Sequence, residues 1–110
     1  TVQKELKHPE LKVSLLSYGK GGISGPIIKK IALKKVKEIS SAVDIPILGI
    51  GGVNSGKDAV EMIKAGACAV GIGSGVYFHG IEVFDKVNKE IEKIMKKEGY
   101  KSIEDIRNAY

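Results

Sequence analysis

Two apolar runs that each end in glycine constrain the fold of this chain more than any other feature. Residues 47–52 read Ile-Leu-Gly-Ile-Gly-Gly, and residues 69–75 read Ala-Val-Gly-Ile-Gly-Ser-Gly. Short apolar runs without polar alternation are typical of parallel strands covered on both faces, and both runs lead towards segments with helical periodicity. The pattern predicts an α/β fold in which helices join parallel strands.

The glycine ends of these two strands are expected to form an anion site. A strand that ends in glycine exposes backbone N–H groups that no Cβ shields, and the start of a following helix adds further N–H groups and a positive partial charge. If the strands are parallel neighbours, Gly51 and Gly52 lie beside Gly73 and Ser74. Such paired loops most often bind a phosphate, as do the loops after the last two strands of a (β/α)₈ barrel.

Periodicity and capping signals predict the remaining elements. Residues 3–25 are expected to be irregular, although residues 11–16 could pair as a short strand. Ser55 and Asp58 fit a capping box at the start of a helix. The predicted elements are a helix over 26–43, a strand over 45–50, a helix over 55–65, a strand over 67–72, a helix over 81–97 and a short helix from Ser102 with Asp105 in the capping position.

The length is short for a complete barrel, which needs about 250 residues. The chain has 110 residues and its first residue is Thr1. Two parallel strands do not form a stable sheet without neighbours and cover on both faces. We therefore expect residues 1–110 to be the C-terminal portion of a (β/α)₈ barrel, comprising its last two strands and their helices, with no internal domain boundary. A self-contained domain of about 100 residues is the alternative.

Composition and charge disfavour nucleic-acid, membrane and metal sites. The net charge is +5, but the lysines alternate with apolar residues at helical spacing, as on solvated helix faces. No apolar run approaches the ~20 residues of a membrane span, and no Cys/His cluster predicts a metal. The single cysteine, Cys68, is expected in a strand core and suits a reducing cytosol. The lysines are Lys29, Lys30, Lys34, Lys35 and Lys37 in one segment and Lys86, Lys89, Lys93, Lys96 and Lys97 in another.

A nucleotide-binding loop is a competing interpretation of the first glycine-rich end. Residues 51–57 fit the P-loop spacing G-x-x-x-x-G-K after a strand and before a helix. The next residue is Asp58, however, where Ser or Thr would ligate Mg²⁺, and its carboxylate would repel a triphosphate. Residues 71–76 also fail the dinucleotide fingerprint, because Val76 replaces the third glycine. Gly49 and Gly71 are expected to serve close packing of the strands.

Several motifs together resemble one enzyme family. They are Gly-Gly-Ile-Ser-Gly-Pro at 21–26, Gly-Ile-Gly-Gly-Val at 49–53, Val-Gly-Ile-Gly-Ser at 70–74 and the tail at 98–106. From residue 21 onwards the chain resembles the C-terminal part of the dihydroorotate dehydrogenases, particularly the soluble class-one type with a separate electron-transfer subunit. The resemblance implies a cytoplasmic, FMN-dependent (β/α)₈ enzyme that oxidises dihydroorotate to orotate in pyrimidine biosynthesis.

The resemblance also implies roles for individual residues. Backbone groups of Gly51, Gly52, Gly73 and Ser74 would hold the FMN phosphate, and Gly25 would lie along the ribityl chain or the ring. Thr1 would be a threonine that touches the substrate. The family's catalytic base and its flavin-contacting lysine would precede residue 1, so this chain alone would be inactive. The implied partners are the remainder of the barrel, a second copy in a homodimer and an electron-transfer subunit.

Two other functions stay open at this point. The same phosphate-binding loops occur in other barrels, including dihydropyrimidine-type oxidoreductases and flavin-free sugar-phosphate enzymes. The chain could also be a catalytically silent half-barrel that acts only as an assembly module. Flavin absorbance and dihydroorotate turnover distinguish the first alternative, and the upstream gene sequence distinguishes the second.

Overall fold

The structure is a computed structural model that describes residues 2–5 and 20–109. Thr1 and the possible strand at 11–16 lie outside the described residues. Parallel strands and helices alternate from residue 29 onwards, as predicted. The elements are β1 (Val2–Glu5), β2 (Lys20–Ile23), a 3-10 turn (Pro26–Ile28), α1 (Lys29–Ala42), β3 (Leu48–Ile50), α2 (Gly56–Ala65), β4 (Ala69–Gly71), α3 (Ser74–His79), α4 (Val83–Glu98) and α5 (Ile103–Arg107).

Strands β3 and β4 pair in parallel through the crossover helix α2. Their register places Leu48 opposite Ala69 and Ile50 opposite Gly71. Helix α2 packs against α1, α4 and α5, so it lies at the centre of the helical layer. A Cβ built on Gly49 would approach the Met62 Sδ to 2.8 Å, so this glycine permits close contact between β3 and helix α2, whereas it was expected to serve packing between strands. The core residues beneath the strands are Val36, Val53, Ala59, Met62, Ala67, Val83 and Val87.

The opposite face of the two-stranded sheet is open, which corrects the expectation of two buried strands. Leu48 is 59% exposed and Ile50 is 58% exposed, whereas Gly49 between them is buried. Ala69 of β4 is also exposed. The helices cover one face only, so these apolar side chains have no protein layer over them within the described residues. The non-alternating apolar pattern predicts cover on both faces of the strands, and the described residues cover only one of them.

The expectation that residues 3–25 are irregular is wrong at both ends of that segment. Strands β1 and β2 pair antiparallel, from Val2 opposite Ile23 to Glu5 opposite Lys20. Gly21 and Gly22 give β2 a low intrinsic strand propensity, and its pairing comes from β1. Long-range pairing of this kind leaves no signal in the local sequence.

Helix α3 and Cys68 also differ from the sequence-based expectations. Helix α3 begins directly after Gly73, whereas the helix after the second strand was expected only from residue 81, and Tyr77 and Phe78 of α3 are exposed. Cys68 precedes β4, is exposed, and donates its S–H to the Ile47 carbonyl at 3.2 Å. It is therefore not a core residue.

Both predicted caps are present, but only one is a full capping box. In α5, the Ser102 and Asp105 side chains each accept the partner's backbone N–H. In α2, the Ser55 Oγ accepts the Asp58 N–H at 3.2 Å, but the Asp58 carboxylate binds elsewhere. Among the residues that the structure describes, no helix is both long and apolar enough to cross a bilayer.

Candidate anion-binding site

The glycine-rich strand ends meet in one open pocket. The parallel register of β3 and β4 brings their ends to the same edge of the sheet, and the turn after β2 closes the pocket from the side. The pocket is small, with a cavity volume of about 70 Å³. Its lining contains Gly25, Gly51, Gly52, Gly73 and Ser74, the five residues expected to contact a cofactor. The remaining lining residues are Ser24, Ile28, Ile50, Val53 and Gly71.

Close packing against α1 fixes the loop after β3. Gly52 has a φ of +73°, and a Cβ on it would lie 2.8 Å from the Lys29 Cα and 2.9 Å from the Lys29 N. A Cβ on Gly51 would lie 2.8 Å from the Ala32 Cβ. Gly73 differs, because a Cβ on it would meet nothing within 4 Å. Glycine is thus required after β3 for packing as well as for access, whereas Gly73 borders open space.

Backbone donors line the other side of the pocket. The first hydrogen bond of α3 joins the Val76 N–H to the Gly73 carbonyl at 3.1 Å, so the N–H of Ser74, a lining residue, has no intrahelical acceptor. The hydroxyls of Ser24 and Ser74 are further donors in the lining. Within the described part of the chain, no charged side chain lines this pocket. An anion would therefore be bound by dipoles and hydroxyls rather than by an opposite charge.

A charged cluster lies immediately behind the pocket. The Lys29 ammonium is 2.9 Å from the Glu61 Oε2 and 3.0 Å from the Asp58 Oδ1. The hydrogen bonds that Lys29 donates, first to Glu61 and then to Asp58, raise its pKa above the ordinary value. Burial opposes ionisation of Asp58, but the hydrogen bonds from Lys29, Asn54 and Ser55 together hold its pKa below the usual value. Lys29, expected on a solvated helix face, is instead committed to two carboxylates.

Two features of this region escaped the sequence reasoning. Gly75 is buried where α3 approaches the loop after β3, since a Cβ on it would lie 3.1 Å from the Val53 carbonyl oxygen. Asp58 was assigned only a capping role, although it binds Lys29 across the helical layer. One feature of the sequence could have indicated a further role for Asp58: this acidic residue breaks an otherwise complete P-loop pattern. Thr1, the expected substrate contact, lies outside the described residues.

Comparison with known proteins gives the family. The sequence model of the dihydroorotate dehydrogenase family matches residues 1–95. The chain belongs to this family. A dihydroorotate dehydrogenase B (NAD(+)) catalytic subunit from Pyrococcus horikoshii is 47% identical over 95 residues, covering 86% of this chain and 31% of the relative. The protein of the same name from Methanocaldococcus jannaschii is 47% identical over 87 residues, covering 79% of this chain and 28% of the relative.

A solved structure agrees with the family assignment. The crystal structure of a ligand-free DHODH from Eimeria tenella matches with a TM-score of 0.76 and 27% identity. The match covers 94% of this chain and 30% of that one. The chain thus spans about 30% of the length of the dihydroorotate dehydrogenases that it matches.

Proposed function

We propose that this chain is the C-terminal part of an FMN-dependent dihydroorotate dehydrogenase and supplies the part that binds the FMN phosphate. The complete protein would oxidise dihydroorotate to orotate in pyrimidine biosynthesis. One observation supports the site assignment above all. Five residues expected to contact FMN come from three separate segments of the chain and line one pocket.

The chemistry of the pocket fits a phosphate monoester. Backbone N–H groups around Gly51, Gly52, Gly73 and Ser74 would donate to the phosphate oxygens, with the Ser74 hydroxyl as a further donor. Gly25 would lie beside the ribityl chain or the ring. The absence of a Cβ at these glycines leaves room for a ligand to reach the backbone. Bound FMN would supply the two-electron oxidising group for the reaction.

The open face of β3 and β4 supports a larger barrel. Leu48 and Ile50 point their apolar side chains into solvent, where the other strands of a (β/α)₈ barrel would enclose them. The catalytic base and the flavin-contacting lysine would then come from that remainder, and Thr1 would touch the substrate. The relatives named as catalytic subunits support an electron-transfer subunit as a partner. A homodimer and a cytoplasmic location complete the proposal.

The proposal is tested on the complete polypeptide that contains these residues. Its intact mass shows whether upstream barrel sequence is present, and its visible spectrum shows whether flavin co-purifies. We expect a yellow protein that releases FMN on denaturation and whose flavin is bleached by dihydroorotate under anaerobic conditions. A protein that neither contains nor binds FMN would refute the proposal and favour a flavin-free phosphate-binding barrel. A flavoprotein that dihydroorotate does not reduce would favour a different oxidoreductase.

A further inference from the structure

The loop after β3 is anchored from behind by a single carboxylate. The Asp58 Oδ2 accepts the backbone N–H of Asn54 at 3.1 Å. The Asn54 Nδ2 in turn donates to the Gly52 carbonyl at 3.3 Å. These two bonds hold the Gly52–Val53 and Val53–Asn54 peptide units, so the orientation of the Val53 N–H at the pocket depends on where Asp58 holds Asn54.

The other oxygen of the same carboxylate holds the first residue of α1. The Asp58 Oδ1 accepts from the Lys29 Nζ at 3.0 Å, and the Lys29 backbone packs directly against Gly52. The Asp58 side chain is 15% exposed and the Lys29 side chain is 29% exposed, so solvent screens this pair only in part. One carboxylate thus fixes the loop and the helix end against which that loop packs.

Helix capping does not account for this arrangement. The capping bond of α2 runs from the Asp58 backbone N–H to the Ser55 Oγ and would persist with any side chain at position 58. The carboxylate also accepts hydrogen bonds from Asn54 and Lys29, neither of which belongs to α2, beside its hydrogen bond with the N-cap residue Ser55. Glu61 is the natural comparison, because it also pairs with Lys29, at 2.9 Å. Among the described residues, no hydrogen bond joins the Glu61 side chain to the loop after β3.

We infer that Asp58 is a positioning residue for the phosphate-binding pocket and that its carboxylate holds the backbone donors after β3 in the geometry that a phosphate requires. This inference rests on the proposed function. It assigns Asp58 no contact with the ligand, since Asp58 does not line the pocket. The Lys29 ammonium offsets part of the negative charge of this carboxylate, although it also pairs with Glu61.

Comparison of FMN with riboflavin tests this role, because riboflavin lacks the phosphate. Apoprotein of the complete polypeptide would be titrated with each flavin by fluorescence quenching, for the parent protein and for Asp58→Ala, Asp58→Asn and Glu61→Gln. For Asp58→Ala we expect FMN affinity to fall about tenfold or more and riboflavin affinity to change less than about twofold. Asp58→Asn keeps an acceptor for the Asn54 N–H and is expected to lose less FMN affinity. Glu61→Gln, the matched control, should bind both flavins like the parent.

The outcomes separate this inference from the proposed function. Parent-like FMN affinity in Asp58→Ala would overturn the positioning role while leaving the flavin site intact. An equal loss of FMN and riboflavin affinity, accompanied by a lower melting temperature, would also overturn it, because it would show a general structural role. If Asp58→Ala does not fold, Asp58→Asn decides by the same FMN-to-riboflavin ratio. A parent protein that binds neither flavin would refute the proposed function and this inference with it.

Discussion

At the scale of the residue, the two glycine-rich strand ends use glycine for different reasons. Gly52 combines a positive φ with a contact so close that any Cβ would clash with the Lys29 backbone. Gly73 has neither constraint, because space is open where its Cβ would lie. A substitution at Gly52 would therefore disturb the packing of α1 as well as any ligand binding. A substitution at Gly73 would affect the pocket without disturbing that packing.

Alanine at these two positions should affect stability very differently. Gly52→Ala is expected to lower the free energy of unfolding by about 2–4 kcal/mol, because left-handed backbone strain adds to overpacking. Gly73→Ala should change it by less than about 0.5 kcal/mol. Urea unfolding of the two variants and the parent measures both values. Equal costs at the two positions would contradict the packing described here.

At the scale of the element, α2 connects the site to the rest of the fold. It begins just after the pocket loop, presents Asp58 to α1, and packs against α4 through Gly56. A Cβ on Gly56 would lie 2.8 Å from the Glu90 carbonyl carbon and 2.8 Å from the Ile91 N. The Gly56 N–H also donates to the Glu90 Oε1 at 3.3 Å. The start of α2 therefore packs so closely against α4 that only glycine fits at position 56.

Alanine at Gly56 should separate these helices although alanine favours helix formation. We expect Gly56→Ala to lower the free energy of unfolding by about 1–3 kcal/mol, since overpacking outweighs the gain in helix propensity. Gly99→Ala is a useful comparison, because Gly99 has a φ of +80° at the end of α4 and open space around it. Its cost should be about 1 kcal/mol from backbone strain alone. Chemical denaturation compares the two, and a stabilised Gly56→Ala would contradict the close contact.

At the scale of the whole molecule, the described residues from Lys29 onwards form a helical layer over one face of a two-stranded parallel sheet, and β1 and β2 form a separate antiparallel pair. The core lies between that face and helices α1, α2 and α4. The other face exposes Leu48 and Ile50. Exposed large apolar side chains in neighbouring positions usually mark a surface that another layer covers.

A charge placed on the open face distinguishes a covered surface from a solvated one. In the complete polypeptide, Leu48→Lys is expected to lower the free energy of unfolding by more than about 2 kcal/mol, because the barrel interior would bury the ammonium. Glu92→Lys, a change on the exposed surface of α4, should cost less than about 0.5 kcal/mol. Thermal and urea unfolding provide the comparison. Similar small effects at both positions would show that no further layer covers β3.

The local sequence was sufficient for the features that depend on neighbours along the chain. Apolar periodicity placed α1, α2 and α4 within a few residues, and the Ser102–Asp105 signature located the start of α5. Glycine at the ends of two apolar runs predicted that Gly51 and Gly73 would meet at one edge, because parallel strands joined by a helix end on the same side. The FMN role of these glycines stays a prediction.

Tertiary structure alone decided the features that depend on contacts between distant segments. Three contacts are of this kind: β1 pairs with β2, Lys29 binds two acidic side chains, and Gly52 packs against α1. Each joins residues that no local sequence pattern connects. The exposure of Leu48 and Ile50 likewise depends on which secondary-structure layers cover β3, and the composition of the strand does not determine it. Periodicity reports how a residue is placed relative to its own helix or strand, whereas packing partners are chosen only when those elements come together.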